Sequence, residues 1–431
     1  MSFKLFCLQV LSGNVSQADW DRLQYYSRKV KFFETKFHID QPQIHPSTYV
    51  RIAQLQSSAL FPSLRHLQCS LDDRSISHIF LFLSPVLDSL EFTNIRGFEN
   101  TIVGPFLATL SSPILRRIVL RSGWMSVDIL KNSIVHFKQL QSLELRHAVF
   151  MSDFVSSLME VIGTLPSLEN LTLMTIDPEP HPAHAPENSN SQSRGPKYFG
   201  ALERLRVMGT FFFIQHLLGF IDSPHLETIK VKPITNFVRD EHEDLFAPIM
   251  TRITSKWSRS LKTLVISSCP SGTRVAHRNA FSKCLILLGD LQEMEAFCLI
   301  DWRIEDVDDY VRCLVLWWPK IRTLYLNETR ISLSTLRIIA ENCPELRYLH
   351  IRLDTSSIPS FDTSSERLHH KLEVLVVEKI HPSQTTLKHQ IQVTRLVDLI
   401  FPYLKSIEVC DETWPELWDL VKLCQDVRRT K

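Results

Sequence analysis

Thirteen times between Phe61 and Val409 the chain writes the same phrase: an apolar residue, two spacers, an apolar residue, one spacer and another apolar residue. LPSLENLTL from Leu165, WWPKIRTLYLN from Trp317 and NCPELRYLHIR from Asn342 are representative. The first apolar residue falls at 64, 87, 115, 140, 168, 202, 226, 261, 294, 321, 346, 372 and 404, so successive copies stand 23 to 35 residues apart. The last two apolar positions alternate with a spacer, which turns both to one face of a short strand and the spacers to the other. Stretches between copies, such as STLRIIAEN from Ser334 and VDDYVRCLVLWW from Val307, have helical spacing. Each copy is therefore expected to be one strand and one helix.

Eight copies carry proline two positions before the first apolar residue: Pro62, Pro85, Pro113, Pro166, Pro224, Pro319, Pro344 and Pro402. Proline cannot continue a helix and disfavours helical backbone in the residue before it, so it turns the chain back toward the strand. Strands that return in the same direction after a crossover pair in parallel. Repeated near-equal copies of one motif point to a stack of coils rather than a doubly wound globule. The expected fold class is α/β, a leucine-rich-repeat solenoid: a right-handed β-α superhelix with a curved parallel sheet on the concave face and helices on the convex face. The Asn or Cys that closes the turn after the strand in such repeats has one good match, Cys269, so irregular turns are expected.

The expected organisation is an N-terminal cap over 1–60, about 13 repeats over 61–410 and a closing helix over 411–431. In the cap, QADWDRLQYYSRKVKFFE puts Trp20, Leu23, Ser27 and Val30 on one helical face and leads into a degenerate strand near Phe32. At the other end Leu417, Leu420, Val421 and Cys424 form the apolar face of a helix that covers the last coil. The stretch from Asp177 to Gly200 is rich in Pro, Ser, Asn and His and too poor in apolar residues to order itself, so a disordered insert is expected near 177–199. Smaller loops are expected at 237–244 and 354–366.

Chemistry is harder to find. His181 and His184 in the insert lack a third ligand at a suitable spacing, and the carboxylates around His242 read as a solvated loop. There is no GxxxxGK, GxGxxG, HExxH or GxSxG. No catalytic residue, cofactor or metal site is expected, and the chain is read as a non-enzyme. The nine cysteines are scattered singly, which reads as reduced core thiols and a cytoplasmic or nuclear location. No apolar run approaches the ~18 residues that span a bilayer. With 48 basic and 47 acidic side chains the net charge is only +1, so any charge-driven binding must be local.

One local bias stands out among the strand spacers. In the copies starting at 115, 140, 168, 202 and 226, these positions hold Arg117, Arg121, Arg146, Arg204, Arg206, Lys230 and Lys232, against a single acid, Glu144. Such a row suits an acidic or phosphorylated segment of a protein partner. Nucleic acid is not expected, because Tyr325 and Tyr348, the concave aromatics available for stacking, lie in other copies.

CPELRYLHI resembles the cysteine-containing leucine-rich repeat of F-box proteins. SQADWDRLQYYSRKVKFF is similar to the Asp-Trp-x-Arg-Phe-x-x-Tyr-x-x-x-Val segment that precedes the repeats in the F-box families of mushroom-forming (basidiomycete) fungi. Asp19, Trp20, Arg22, Tyr26 and Val30 match, with Leu23 in the Phe position. LFPSLRHL and FLSPVLDSL resemble that group too. The resemblance implies a protein-binding module, the substrate-recognition part of an SCF-type ubiquitin ligase, and a monomer is expected. A stand-alone scaffold is the alternative. Residues 1 to 15 are too few to hold the F-box, so a Skp-class adaptor is an expected partner only if an F-box lies upstream.

Overall fold

The computed structural model describes residues 8–9, 15–35, 43–44, 46–55, 59–71, 76–95, 100–110, 112–122, 127–148, 152–175, 199–234, 243–267, 284, 286–302, 307–359, 368–381, 386–410, 414 and 416–429. Two short strands, β1 (Leu8–Gln9) and β3 (Gln43–Ile44), pair with each other in parallel. The other fourteen make one sheet in strict chain order. They are β2 (Phe32–Thr35), β4 (His66–Ser70), β5 (Ser89–Ile95), β6 (Arg117–Ser122), β7 (Ser142–Ala148), β8 (Asn170–Thr175) and β9 (Arg204–Gly209), followed by β10 (Thr228–Pro233), β11 (Thr263–Ser267), β12 (Ala296–Ile300), β13 (Thr323–Ser332), β14 (Tyr348–Asp354), β15 (Val374–His381) and β16 (Ser406–Val409). Fourteen parallel strands alternating with helical segments make the chain an α/β leucine-rich-repeat solenoid.

All thirteen phrases became strands, and each strand begins two residues after the first apolar position. Those first residues are buried in every copy, from Leu64 to Leu404, as are the strand pairs such as Leu171 with Leu173 and Leu349 with Ile351. Each fully buried apolar side chain of this size contributes about 1.5–3 kcal/mol relative to exposure. β2, at the expected degenerate strand, pairs with β4 from Phe32↔His66 to Thr35↔Cys69.

The chain divides into two compact units, one of Met1–Arg206 with Phe220–His225, the other of Val207–Gly219 with Leu226–Lys431. In the first, coils are joined by a repeated seam. The carbonyl of the residue after the first apolar position accepts two successive amides of the next coil: Arg65 O takes Asp88 N and Ser89 N, and Asp88 O takes Arg116 N and Arg117 N. The same seam recurs in the second unit, where Arg322 O takes Arg347 N and Tyr348 N, and Arg347 O takes Glu373 N and Val374 N. The proline corners close as tight turns: Leu64, Leu87, Ile321, Leu346 and Leu404 each donate N–H to the carbonyl just before the proline.

The N-terminal coil lacks the leucine phrase and fills its interior with aromatic rings instead. Phe33 of β2 stacks on Phe82 at 4.4 Å, and Phe82 lies over Phe61 at 5.7 Å. In the second unit the helix Phe211–Phe220 buries Phe211, Phe213, Ile214, Leu217 and Leu218, with Phe211 edge-on to Phe246 at 6.0 Å. The helix Leu333–Asn342 buries Leu336, Ile339 and Ala340, the face its spacing predicts. The N-terminal helix, Gln17–Ser27, is capped by the Ser16 hydroxyl and leaves Tyr25 and Tyr26 exposed. The C-terminal helix, Leu417–Arg429, buries Leu417 and Val421.

One strand plus one α-helix per copy does not hold throughout. A 3-10 helix, Ile76–Phe82, connects β4 to β5, and another, Ile286–Asp290, precedes β12. The physical reason in the first case is length: the copies at 64 and 87 are only 23 residues apart, and a 3-10 segment crosses between corners with fewer side chains to bury. Register shifts occur between paired strands at Phe92/Ile95, Arg146/Ala148, Leu326/Arg330 and Ile351/Arg352. The insert near 177–199, apart from Phe199, falls outside the described residues, as do Cys269 and His242.

Candidate functional site

The spacers point to the sheet face opposite the buried leucines, and strand register brings spacers of neighbouring coils side by side. In the first unit Arg117 opens β6, in register with Ser89 and Ser142, and is exposed. Arg121 stands directly across from Arg146. Two adjacent guanidinium groups repel, and each is met by a carboxylate: Glu91 lies 3.0 Å from Arg121, and Glu144 is in contact with Arg146. Arg204 donates to the Asn170 carboxamide oxygen at 3.2 Å and stands 3.9 Å from Glu203. Arg206 is exposed. In the second unit Lys230 is exposed, in register with Val265, and Lys232 is half-buried. Among the described residues Arg117, Arg206, Lys230 and Lys232 form no ion pair.

Glu91 escaped the sequence count because it lies one copy upstream of the basic run, on β5, so only pairing between strands reveals it. The signal for a further row was in plain view. The residue just after the first apolar position is charged in every copy except the one with Gln141. These side chains line the entrance of the strands and pair across coils. Arg116 sits 3.7 Å from Asp88 in the first unit; in the second, Lys262 lies 2.6 Å from Glu227, Arg347 2.9 Å from Glu373, and Lys405 2.7 Å from Glu373. The hydrogen bond to Glu227 raises the Lys262 ammonium above its ordinary value, and the one from Lys405 lowers the Glu373 carboxyl. Exposed pairs of this kind contribute little to stability, about 0–1 kcal/mol each.

The second unit carries a different cluster on its spacer face. His350 is buried, its Nε2 lies 3.0 Å from Glu378 Oε2, and the Tyr325 ring stands edge-on at 4.3 Å. Burial pushes the Tyr325 and Tyr348 hydroxyls up, helped by the charge of Glu378 at Tyr325 and of Glu408 at Tyr348. Asn327, within β13, is a coil-joining asparagine that the sequence reading missed. Its buried carboxamide accepts from Asp301 N at 2.9 Å and donates to Asp301 Oδ1 at 3.1 Å, one coil back.

No family model matches the chain, and no curated protein matches it. Solved structures of similar chain path include an internalin (inlF) from Listeria monocytogenes at 12% identity, covering 91% of this chain and 86% of that one with a TM-score of 0.36. A Bacteroides fragilis protein is similar at 14% identity over 63% of this chain and 76% of its own, with a TM-score of 0.37. The yeast Rad7 and Elc1 complex contains a chain similar at 13% identity over 83% of this chain and 88% of that one, TM-score 0.30. The fold class rests on the strand register rather than on these likenesses.

Among the described residues no three His, Cys, Asp or Glu side chains are placed to hold a metal ion, and no helix is long and apolar enough to cross a membrane. A groove of about 730 Å³ in the second unit is lined by Tyr403, Lys405, Trp418, Lys422 and Arg428 among others. Two of its cations are already engaged, Lys405 by Glu373 at 2.7 Å and Arg428 by Asp398 at 3.0 Å.

Proposed function

We propose that the chain is a protein-binding module, and that the spacer face of its first unit seats an acidic or phosphorylated segment of a partner. The observation that carries this is the exposure of Arg117 and Arg206 on the strand face without a carboxylate partner among the described residues. Arg121, Arg146 and Arg204 lie on the same face of that unit, and arginine presents a planar fork of donors suited to carboxylate or phosphate. Glu91 and Glu144 weaken the field at Arg121 and Arg146, which makes Arg117, Arg204 and Arg206 the stronger contacts. Lys230 and Lys232 offer the same chemistry on β10, within the second unit.

The resemblance of residues 16–33 and of the repeats to F-box proteins favours a role in substrate recognition within an SCF-type ubiquitin ligase, in the cytoplasm or nucleus. The alternative is a stand-alone scaffold. Neither role requires catalysis by this chain or a cofactor. Binding of a phosphopeptide array by the wild-type protein and by the Arg204→Glu, Arg206→Glu double variant tests the cradle: reversal of both charges is expected to weaken captured phosphopeptides at least tenfold, and unchanged capture removes the assignment. Co-purification with a Skp-class adaptor separates the ligase role from the scaffold.

A further inference from the structure

We propose that the spacer face of β12–β16 is a docking site for a basic segment of a partner protein, with one lysine or arginine side chain seated between Tyr325, Tyr348, Glu378 and Glu408. The site is separate from the arginine face of the first unit and stands on its own residues.

Register defines it. Ala296, Thr323, Tyr348, Val374 and Ser406 stand side by side in one row, and Cys298, Tyr325, His350, Val376 and Glu408 in the next. Neither row contains a lysine or arginine. Cations lie at its borders: Lys230 on β10 is near enough to act on Cys298, and further along the strands Arg330, Arg352 and Lys379 are in register, with Arg352 held by Glu328. Glu408 is exposed and forms no ion pair among the described residues.

His350 shows which kind of ligand fits. The carboxylate of Glu378 at 3.0 Å from Nε2 favours a proton on that nitrogen, which leaves Nδ1 as a lone-pair acceptor in the neutral ring. That Nδ1 is buried and has no hydrogen-bond partner, and the residue is only 6% exposed. Buried acceptors without a donor are uncommon and destabilising. Acceptor capacity on this face is left at the Glu378 and Glu408 carboxylates and at the negative faces of the two tyrosine rings. Burial is the main cause that raises the Tyr325 and Tyr348 hydroxyls, and the negative charge of Glu378 and Glu408, which adds to it, favours a cation beside the rings. A guanidinium or ammonium group supplies donors and positive charge together and rests on an aromatic face.

Size argues for a segment over a small amine. Five strands about 4.8 Å apart leave about 19 Å between the outer two, the length of roughly six extended residues.

The test uses the full chain and a fluorescein-labelled hexa-arginine peptide, read by anisotropy at about 0.15 M salt. Binding is expected, weakened at least tenfold by Glu378→Gln with Glu408→Gln and not by Glu169→Gln with Glu203→Gln in the first unit. Glu408→Gln alone, at an exposed position, asks the same question without disturbing the His350 contact, and is expected to weaken binding several-fold. The His350 imidazole nitrogen signals are expected to shift as the peptide is added. Absence of binding, or equal loss in both glutamine pairs, overturns the proposal.

Discussion

The hydroxyl of Ser112 donates to the carbonyl of Leu87 at 2.6 Å, across twenty-five residues of chain. Ser223 does the same to Leu202, also at 2.6 Å, and Ser84 to Pro62 at 3.1 Å. In all three the serine precedes a corner proline and is buried. The proline turns the chain, and the serine ties that turn to the coil before it.

Replacing Ser112 with Ala removes a buried donor and is expected to destabilise the first unit by about 1–3 kcal/mol. Ser223→Ala is expected to act alike. A shift of the urea midpoint to lower concentration at unchanged slope is the measurement; a midpoint within error of wild type shows that the hydroxyls do not join the coils.

His370 takes the place of proline in the copy at 372. Its Nδ1 accepts from Leu372 N at 3.1 Å and its Nε2 lies 2.7 Å from Cys343 O, so the corner needs the neutral ring. Burial lowers its pKa in the folded state. Below the unfolded value of about 6.5 the unfolded chain then binds the proton first, and stability falls with falling pH until the folded value is passed, by up to about 1.4 kcal/mol per pH unit. His78 and His216, lowered by burial as well, add to the slope. Chemical denaturation between pH 7.5 and 5 is expected to show a shallower pH slope in His370→Gln than in wild type, on a lower baseline. An identical slope in the two proteins contradicts the assignment.

Cys69 and Cys343 are buried, and burial pushes both thiols up to about 12. Cys313 and Cys410 are exposed. Alkylation with iodoacetamide at pH 8, mapped residue by residue by mass spectrometry, is expected to label Cys313 and Cys410 in the folded protein and Cys69 and Cys343 only after denaturation. Burial and Glu378 also raise Cys410, so it is expected to react more slowly than a free thiol. Early labelling of Cys343 contradicts the packing of its coil.

The strands were legible because period-2 alternation and a fixed offset from proline are local signals, and every copy carries at least the first of them. The placement of Arg117, Arg204 and Arg206 on the spacer face followed from the same alternation. What neutralises Arg121 was not legible, because Glu91 reaches it only through the pairing of β5 with β6. The role of His370 was hidden for a different reason: a histidine two positions before Leu372 looks like a lost proline until its ring nitrogens are seen to hold the turn. Asn327 escaped because it directly follows Leu326, whereas Cys269 stands three positions after Ile266. The orphan Nδ1 of His350 has no sequence signature at all.

The seam in which one carbonyl serves two amides has a consequence for how such a chain can grow. Its hydrogen bonds belong to the backbone, so they do not depend on which side chain follows the first apolar residue. A stretch such as 321–345, which begins at one seam and ends just short of the next, carries a donor pair at its front and an acceptor for whatever comes after. Duplicating or deleting that stretch in frame sets a donor pair against an acceptor at the new joint, so the number of turns can change without loss of this seam.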